Sequence, residues 1–302
     1  MGPERARHGI VAVPLGMAPC REAFLRTLEG RKLSPQTVRA YGSDLAHLAI
    51  WLEASYPAGI AVDEVQASDI EEYLATLARR GLSGVTMARR LAAIREFFRF
   101  LVRRNLVAQS PAWDIRTPKR EARPRVWLRP DEYTRMVSET AGHPRDYCIL
   151  QVFLQTGVRV AELCDLRVDD VDFVARVLRV RSGKGGASRD IALETKGLRA
   201  LKGWLAARPP VLADHLFVNR YGDPLSDRGV RKLIAKYRVS AGITKKATPH
   251  SLRHTFASYK ARRGVTPYML KEMLGHKNLT TTQLYAHLDK LDDQKVMEAT
   301  SL

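Results

Sequence analysis

The chain has 302 residues, with 50 Lys and Arg against 32 Asp and Glu, a formal net charge of +18. Its 45% apolar and 27% charged residues exclude wholesale disorder, and its length predicts two domains, each with a core of its own. So large a positive excess makes a polyanion the expected partner, nucleic acid ahead of an anionic membrane. The three cysteines, Cys20, Cys148 and Cys164, are odd in number, far apart and without CxxC spacing. They predict neither a disulfide framework nor a zinc site, and read as reduced thiols of a cytoplasmic protein. No apolar run reaches the ~18 residues of a membrane span. The stretch IVAVPLGMA behind Arg5 and Arg7 is too short for a secretory signal, contains Pro14 and lacks a small-x-small cleavage site.

In chain order, residues 1–20 read as a loose tail, and the pattern from 21 to 106 is helical. Ser34 is placed to cap a helix in which Val38, Tyr41, Leu45, Leu48 and Leu52 recur at three- and four-residue steps. A second helix is expected over 68–80. A third carries Met87, Leu91, Ile94, Phe98 and Leu101 on one stripe, and Arg89, Arg95, Arg99 and Arg103 on its other side. These predict a small all-α domain. Residues 107–126 hold three prolines and a basic run that includes Arg116, Lys119 and Arg120, the composition of a linker. Net charge is +6 over residues 1–120 and +12 over the remainder, so both domains are expected to grip one polyanion.

The second domain, 127–302, opens with a helix N-terminus at Arg129-Pro130-Asp131-Glu132 and continues through the apolar YCILQVFLQTG. After one more helix, VLRVRSGKGGASRDIAL gives two alternating runs around a glycine-rich turn, a β-hairpin signal. Helical patterns then dominate.

Four places in this domain carry chemistry-bearing residues, each with a plainer alternative. Pro249 behind Thr248 starts a helix, which sets His250 and Arg253 one turn apart on one face, at an end suited to an anion. Alone, HxxR reads more simply as a solvated basic helix end. In QTGVRVAE, Gly157 caps one helix and Arg159 lies in the turn that opens the next, with Glu162 three residues on to hold the guanidinium. An ordinary capping ion pair accounts for that equally. Lys184 stands in the turn SGKGG, which lacks GxxxxGK[ST] and is no nucleotide loop; a solvated turn lysine is the bland reading. Gly275-His276 ends a helix, and Tyr285 follows in TTTQLYAHL, where a capping histidine and a half-buried packing tyrosine are the ordinary readings. Together, however, Arg159, Lys184, His250, Arg253, His276 and Tyr285 supply two guanidiniums, an ammonium, two imidazoles and a phenol. That inventory suits metal-free phosphoryl transfer on a phosphodiester. A phenol of pKa about 10 is a poor nucleophile at neutral pH unless a base or a positive field helps it.

In SPQTVRAYGSDLAHLAIWL, FFRFLVRRNLVAQSPAWDI, TGVRVAELCDLRVDDVD, SGKGGASRDIAL, TPHSLRHTFAS and LGHKNLTTTQLYAH, the chain resembles the tyrosine recombinase (phage-type integrase) family, and its compact Xer-like members in particular. The resemblance implies a mainly α fold with a small β-hairpin or sheet (α+β), arranged as a two-domain, C-shaped DNA clamp. It implies that Tyr285 attacks the scissile phosphate of double-stranded DNA to give a 3′-phosphotyrosyl link and a free 5′ hydroxyl. Arg159, Arg253 and His276 would hold the phosphate, Lys184 would act as general acid and His250 would assist proton transfer at the tyrosine, with neither ATP nor metal. Four protomers, all of this chain or shared with a paralogue, would exchange strands through a Holliday junction at a specific core site, helped by a C-terminal tail over about 288–302. Arg89, Arg95, Arg99, Arg103, Arg116, Lys119 and Arg120 are expected to grip DNA phosphates, so that binding weakens steeply with salt. A silent DNA-binding protein of this fold and a type IB topoisomerase are the competing readings. The complete set of six residues argues against the first, and the amino-terminal helical domain and the tail argue against the second.

Overall fold

The computed structural model describes residues 16–119, 126–181 and 188–275, and the chain divides into two units, Met1–Arg123 and Pro124–Leu302.

The first unit is built from α1 (Met17–Gly30), α2 (Pro35–Ser55), α3 (Ala67–Arg79) and α4 (Gly84–Arg103). Helix α1 begins inside the stretch expected as a tail, because Met17, Cys20, Phe24 and Leu28 are spaced to bury one face. The hydroxyls of Ser34 and Ser83 cap α2 and α4, accepting from the N–H groups of Thr37 at 3.1 Å and Thr86 at 3.3 Å. The predicted stripe of α4 is the core: Leu91, Ile94, Phe98 and Leu101 are fully buried, and Phe97 meets Phe24 edge-on at 5.7 Å between ring centres. Val107, Ala112 and Ile115, from the stretch read as a linker, are buried in this same core.

The second unit contains α5 (Pro130–Ser138), α6 (Pro144–Thr156), α7 (Val160–Asp165), β1 (Val171–Asp172), β2 (Val177–Val180), β3 (Arg189–Ala192), α8 (Thr195–Ala207), α9 (Asp227–Ser240), α10 (Pro249–Ala261) and α11 (Pro267–Leu274). Cys148, Ile149, Leu150, Val152 and Phe153 bury α6 on every side, so it forms the centre, packed against α8 and α10. The expected hairpin is present as β2 and β3, antiparallel with Leu178 opposite Ile191 and Val180 opposite Arg189. A two-residue strand, β1, extends it to a three-stranded sheet in the order β1-β2-β3. The fold is mainly helical with this small sheet, the α+β class expected. All three cysteines are unpaired. Among the described residues, no helix is long and apolar enough to cross a membrane.

Candidate active site

Helix α6 ends at Gly157, whose left-handed conformation (φ +59°) turns the chain so that Arg159 becomes the N-cap of α7. Glu162, at the third position of α7, accepts the Arg159 backbone N–H at 2.7 Å and its Nη1 at 2.6 Å. On α10, Thr248 and Ser251 cap each other reciprocally at the N-terminus, as Pro249 at the first position predicted. Far from being a solvated helix end, α10 is buried along most of its length. Arg253 is 6% exposed and reaches two other elements: Nη1 donates to Gly157 O at 2.8 Å and Nη2 to Leu274 O at 2.7 Å.

The two arginines meet at the end of α11. Arg253 donates to the Leu274 carbonyl, and Arg159 Nη2 donates to the next one, Gly275 O, at 2.9 Å. Between them lies Glu162, with Arg253 Nη1 at 4.0 Å from Oε2. Gly275 has φ +63°, and a Cβ there would stand 2.9 Å from Arg189 Nη1. Glycine is favoured here by its conformation, and a Cβ would oblige the Arg189 guanidinium to shift.

His250 lies exposed one turn above the buried His254, with Nε2 atoms 2.8 Å apart and ring planes at 79°. Which ring donates in this contact is set by the tautomers of the two imidazoles. Lys184, His276 and Tyr285 lie outside the described residues, as does Arg120. Of the predicted set the structure thus brings Arg159, Glu162 and Arg253 together, with His250 on the helix of Arg253. Two neighbours went unread in the sequence, Arg189 and His254. The signal for Arg189 is the two-residue period of a strand, which places it on the inward face shared with buried Ile191. The signal for His254 is its i+4 spacing from His250.

Electrostatically, burial would raise the Glu162 carboxyl, but hydrogen bonds from the Arg189 guanidinium, the Arg159 backbone N–H and the Arg159 side chain outweigh it and hold the group down at about 2. The folded form therefore binds this proton more weakly than the unfolded form, whose carboxyl titrates near 4.5. The stabilisation, on the order of 3 kcal/mol, is complete above about pH 5 and is lost as pH falls from 4.5 towards 2. In chemical unfolding followed across that window, Glu162→Gln should flatten the acid limb relative to the native chain. An unchanged slope would show that the grip of Arg189 and Arg159 on Glu162 contributes nothing to acid stability.

The residues expected on DNA are differently engaged. Arg89 pairs with the buried Asp44, whose carboxyl is pushed up by burial against the pull of Arg89 and Arg90. Arg95 donates to Ala112 O, Ile115 O and Thr117 Oγ1, and Arg99 pairs with Glu96. Arg103, Arg116 and Lys119 are exposed. A cavity of about 450 Å³ lined by Tyr133, Tyr147, Gln155, Tyr259 and Lys260 shares no residue with the arginine cluster.

The Phage integrase family matches residues 126–291, and the Phage integrase N-terminal SAM-like domain matches residues 22–105. Tyrosine recombinase XerC of Xanthomonas axonopodis pv. citri is 33% identical over 292 residues, covering 92% of this chain and 95% of the relative. Tyrosine recombinase XerC of Xylella fastidiosa is 36% identical over 284 residues, covering 92% and 94%. Among solved structures, a lambda integrase tetramer bound to a Holliday junction superposes with a TM-score of 0.76 at 18% identity, covering 91% of this chain and 78% of that one. With matches that run through both units, the chain belongs to the phage integrase family and is a tyrosine recombinase.

Proposed function

We propose that this chain is a site-specific DNA recombinase that cuts and rejoins strands through Tyr285, by way of a 3′-phosphotyrosyl link and a free 5′ hydroxyl. In this reading Arg159, Arg253 and His276 bind the scissile phosphate and neutralise the charge that builds on its non-bridging oxygens. Lys184 protonates the leaving 5′ oxygen and His250 assists proton transfer at the tyrosine. The phosphoester energy is kept in the covalent link, so no ATP is consumed. The observation that carries the reading is the convergence of Arg159 and Arg253 on the successive carbonyls of Leu274 and Gly275, immediately before the segment that bears His276 and Tyr285. Four copies, or two with two of a paralogue, would act on two DNA sites in the cytoplasm, on the nucleoid; the lambda integrase tetramer on a Holliday junction supports that assembly by analogy of fold. For the sequence-tolerant grip on phosphates we assign Arg103, Arg116, Lys119 and Arg120 ahead of Arg99, and we give Arg89 and Arg95 to the fold of the first unit.

The test is to incubate the full chain with nicked fragments of the source organism's genomic DNA and resolve the products under denaturing conditions. A covalent protein–DNA adduct is expected from the native chain and none from Tyr285→Phe, with the adducted DNA enriched in one core sequence. An adduct that persists in Tyr285→Phe would sink the assignment of the nucleophile. Relaxation of a plasmid lacking the recovered core sequence would favour topoisomerase action instead.

A further inference from the structure

Arg189 starts β3 with its side chain turned inward and 12% exposed. Its Nη1 and Nη2 donate to Glu162 Oε1 at 3.0 Å and Oε2 at 2.8 Å, the parallel two-point pairing of a guanidinium with a carboxylate. Its Nε donates to Met273 O at 2.9 Å, so one side chain joins the sheet to α7 and to the end of α11. Glu162 Oε1 also accepts Arg159 Nη1 at 2.6 Å, and Oε2 stands 4.0 Å from Arg253 Nη1. One carboxylate thus stands among three guanidiniums, and its direction and charge depend on which of them takes it. Without the fork of Arg189, Glu162 would keep its bond to Arg159 and draw in Arg253 as its second partner.

We propose that Arg189 is a positioning residue: by holding Glu162 in a two-point pair, it keeps that carboxylate, already bonded to Arg159, from closing on Arg253 and redirecting it, both arginines acting on the DNA phosphate. The proposal rests on the reading that those two arginines bind the scissile phosphate. It assigns no contact with DNA to Arg189, whose effect on the reaction is exerted through Glu162.

The experiment measures single-turnover cleavage of a nicked duplex built on the core sequence recovered from covalent adducts. The scissile group is either the native phosphate or a methylphosphonate, which lacks the negative charge the arginines would neutralise. Arg189→Gln is expected to cleave the phosphate about 100-fold more slowly than the native chain, with the deficit falling below about 10-fold on the methylphosphonate. Glu162→Gln combined with Arg189→Gln should regain at least about 10-fold over Arg189→Gln alone on the phosphate, since the uncompensated carboxylate is gone. Arg189→Lys keeps the charge but not the fork, and should fall between the native chain and Arg189→Gln. Should Arg189→Gln fail to fold, Arg189→Lys read on the two substrates carries the same comparison. Arg159→Ala is the control for the underlying reading, because its deficit must also shrink on the methylphosphonate. If that control loses equally on both substrates, the phosphate-binding reading fails. If the control is relieved but a folded Arg189 variant loses equally on both, the proposal is overturned and Arg189 only fastens β3.

Discussion

Arg253→Ala is expected to abolish strand cleavage, by about 10³-fold or more, and to destabilise the second unit by about 3–5 kcal/mol. Both effects follow from the same geometry. The guanidinium is almost fully buried and satisfies the carbonyls of Gly157 and Leu274, the end of one helix and the end of another. Truncation leaves those carbonyls without their donor in a dry place and removes one of the three cations around Glu162. Arg253→Lys separates packing from chemistry. An ammonium restores the charge but not the planar fork, so it cannot serve two carbonyls and a phosphate oxygen together. Cleavage should remain at least about 100-fold down while melting recovers in part. Affinity for DNA should change far less than cleavage in either variant, since one contact among many phosphate contacts lowers the salt slope by only about one. Cleavage by Arg253→Lys within about tenfold of the native chain would remove Arg253 from the catalytic set.

How much of this was legible in the sequence depends on the period of each element. The helical stripes of α2 and α4 were visible because Val38 to Leu52 and Leu91 to Leu101 repeat at three and four residues over several turns. The cap at Thr248-Pro249 and the glycine after α6 were visible because each is a local rule about backbone donors and left-handed turns. Arg159, Glu162 and Arg253 were recognisable as candidates, but their convergence was not. Whether HxxR forms a solvated end or a buried clamp is decided by α6 and α11 closing over α10, which no window around Arg253 contains. The alternating run that carries Arg189 was legible as a strand, but its pairing with Glu162, 27 residues away on α7, is a tertiary contact that no local pattern signals. Strand β1, two residues long, is set by pairing with β2 rather than by any propensity of its own. Val107, Ala112 and Ile115 read as linker because prolines and basic residues surround them. Their burial follows from Arg95 tying that stretch back onto α4 through backbone carbonyls.

The same closure makes Gly157 the second position where a small change should have a large effect. Its φ of +59° costs any L side chain about 1 kcal/mol. A Cβ there would stand 2.4 Å from Phe256 Cδ1 and 2.9 Å from Leu274 Cδ2, and both residues are buried with little room to retreat. Overpacking of this kind costs about 1–3 kcal/mol more. Gly157→Ala should therefore lose about 2–4 kcal/mol in all, a drop of about 10 °C in melting temperature for a unit of this size. Gly142 is the matched control. It has φ +78° and nothing within 4 Å of the position a methyl group would take, so Gly142→Ala should pay the conformational cost alone. The clash also has a consequence for the reaction. Phe256 lies on α10 three residues beyond Arg253, and Leu274 supplies the carbonyl that Arg253 holds. Forcing those side chains apart moves the guanidinium away from both of its anchors, Gly157 O among them. At a temperature where Gly157→Ala is still folded, cleavage should fall by about 10²-fold, the penalty of a displacement near 1 Å in a preorganised site, while Gly142→Ala cleaves normally. Equal losses of melting temperature in the two variants would show that the conformation of Gly157, and not its contact with α10 and α11, sets its cost.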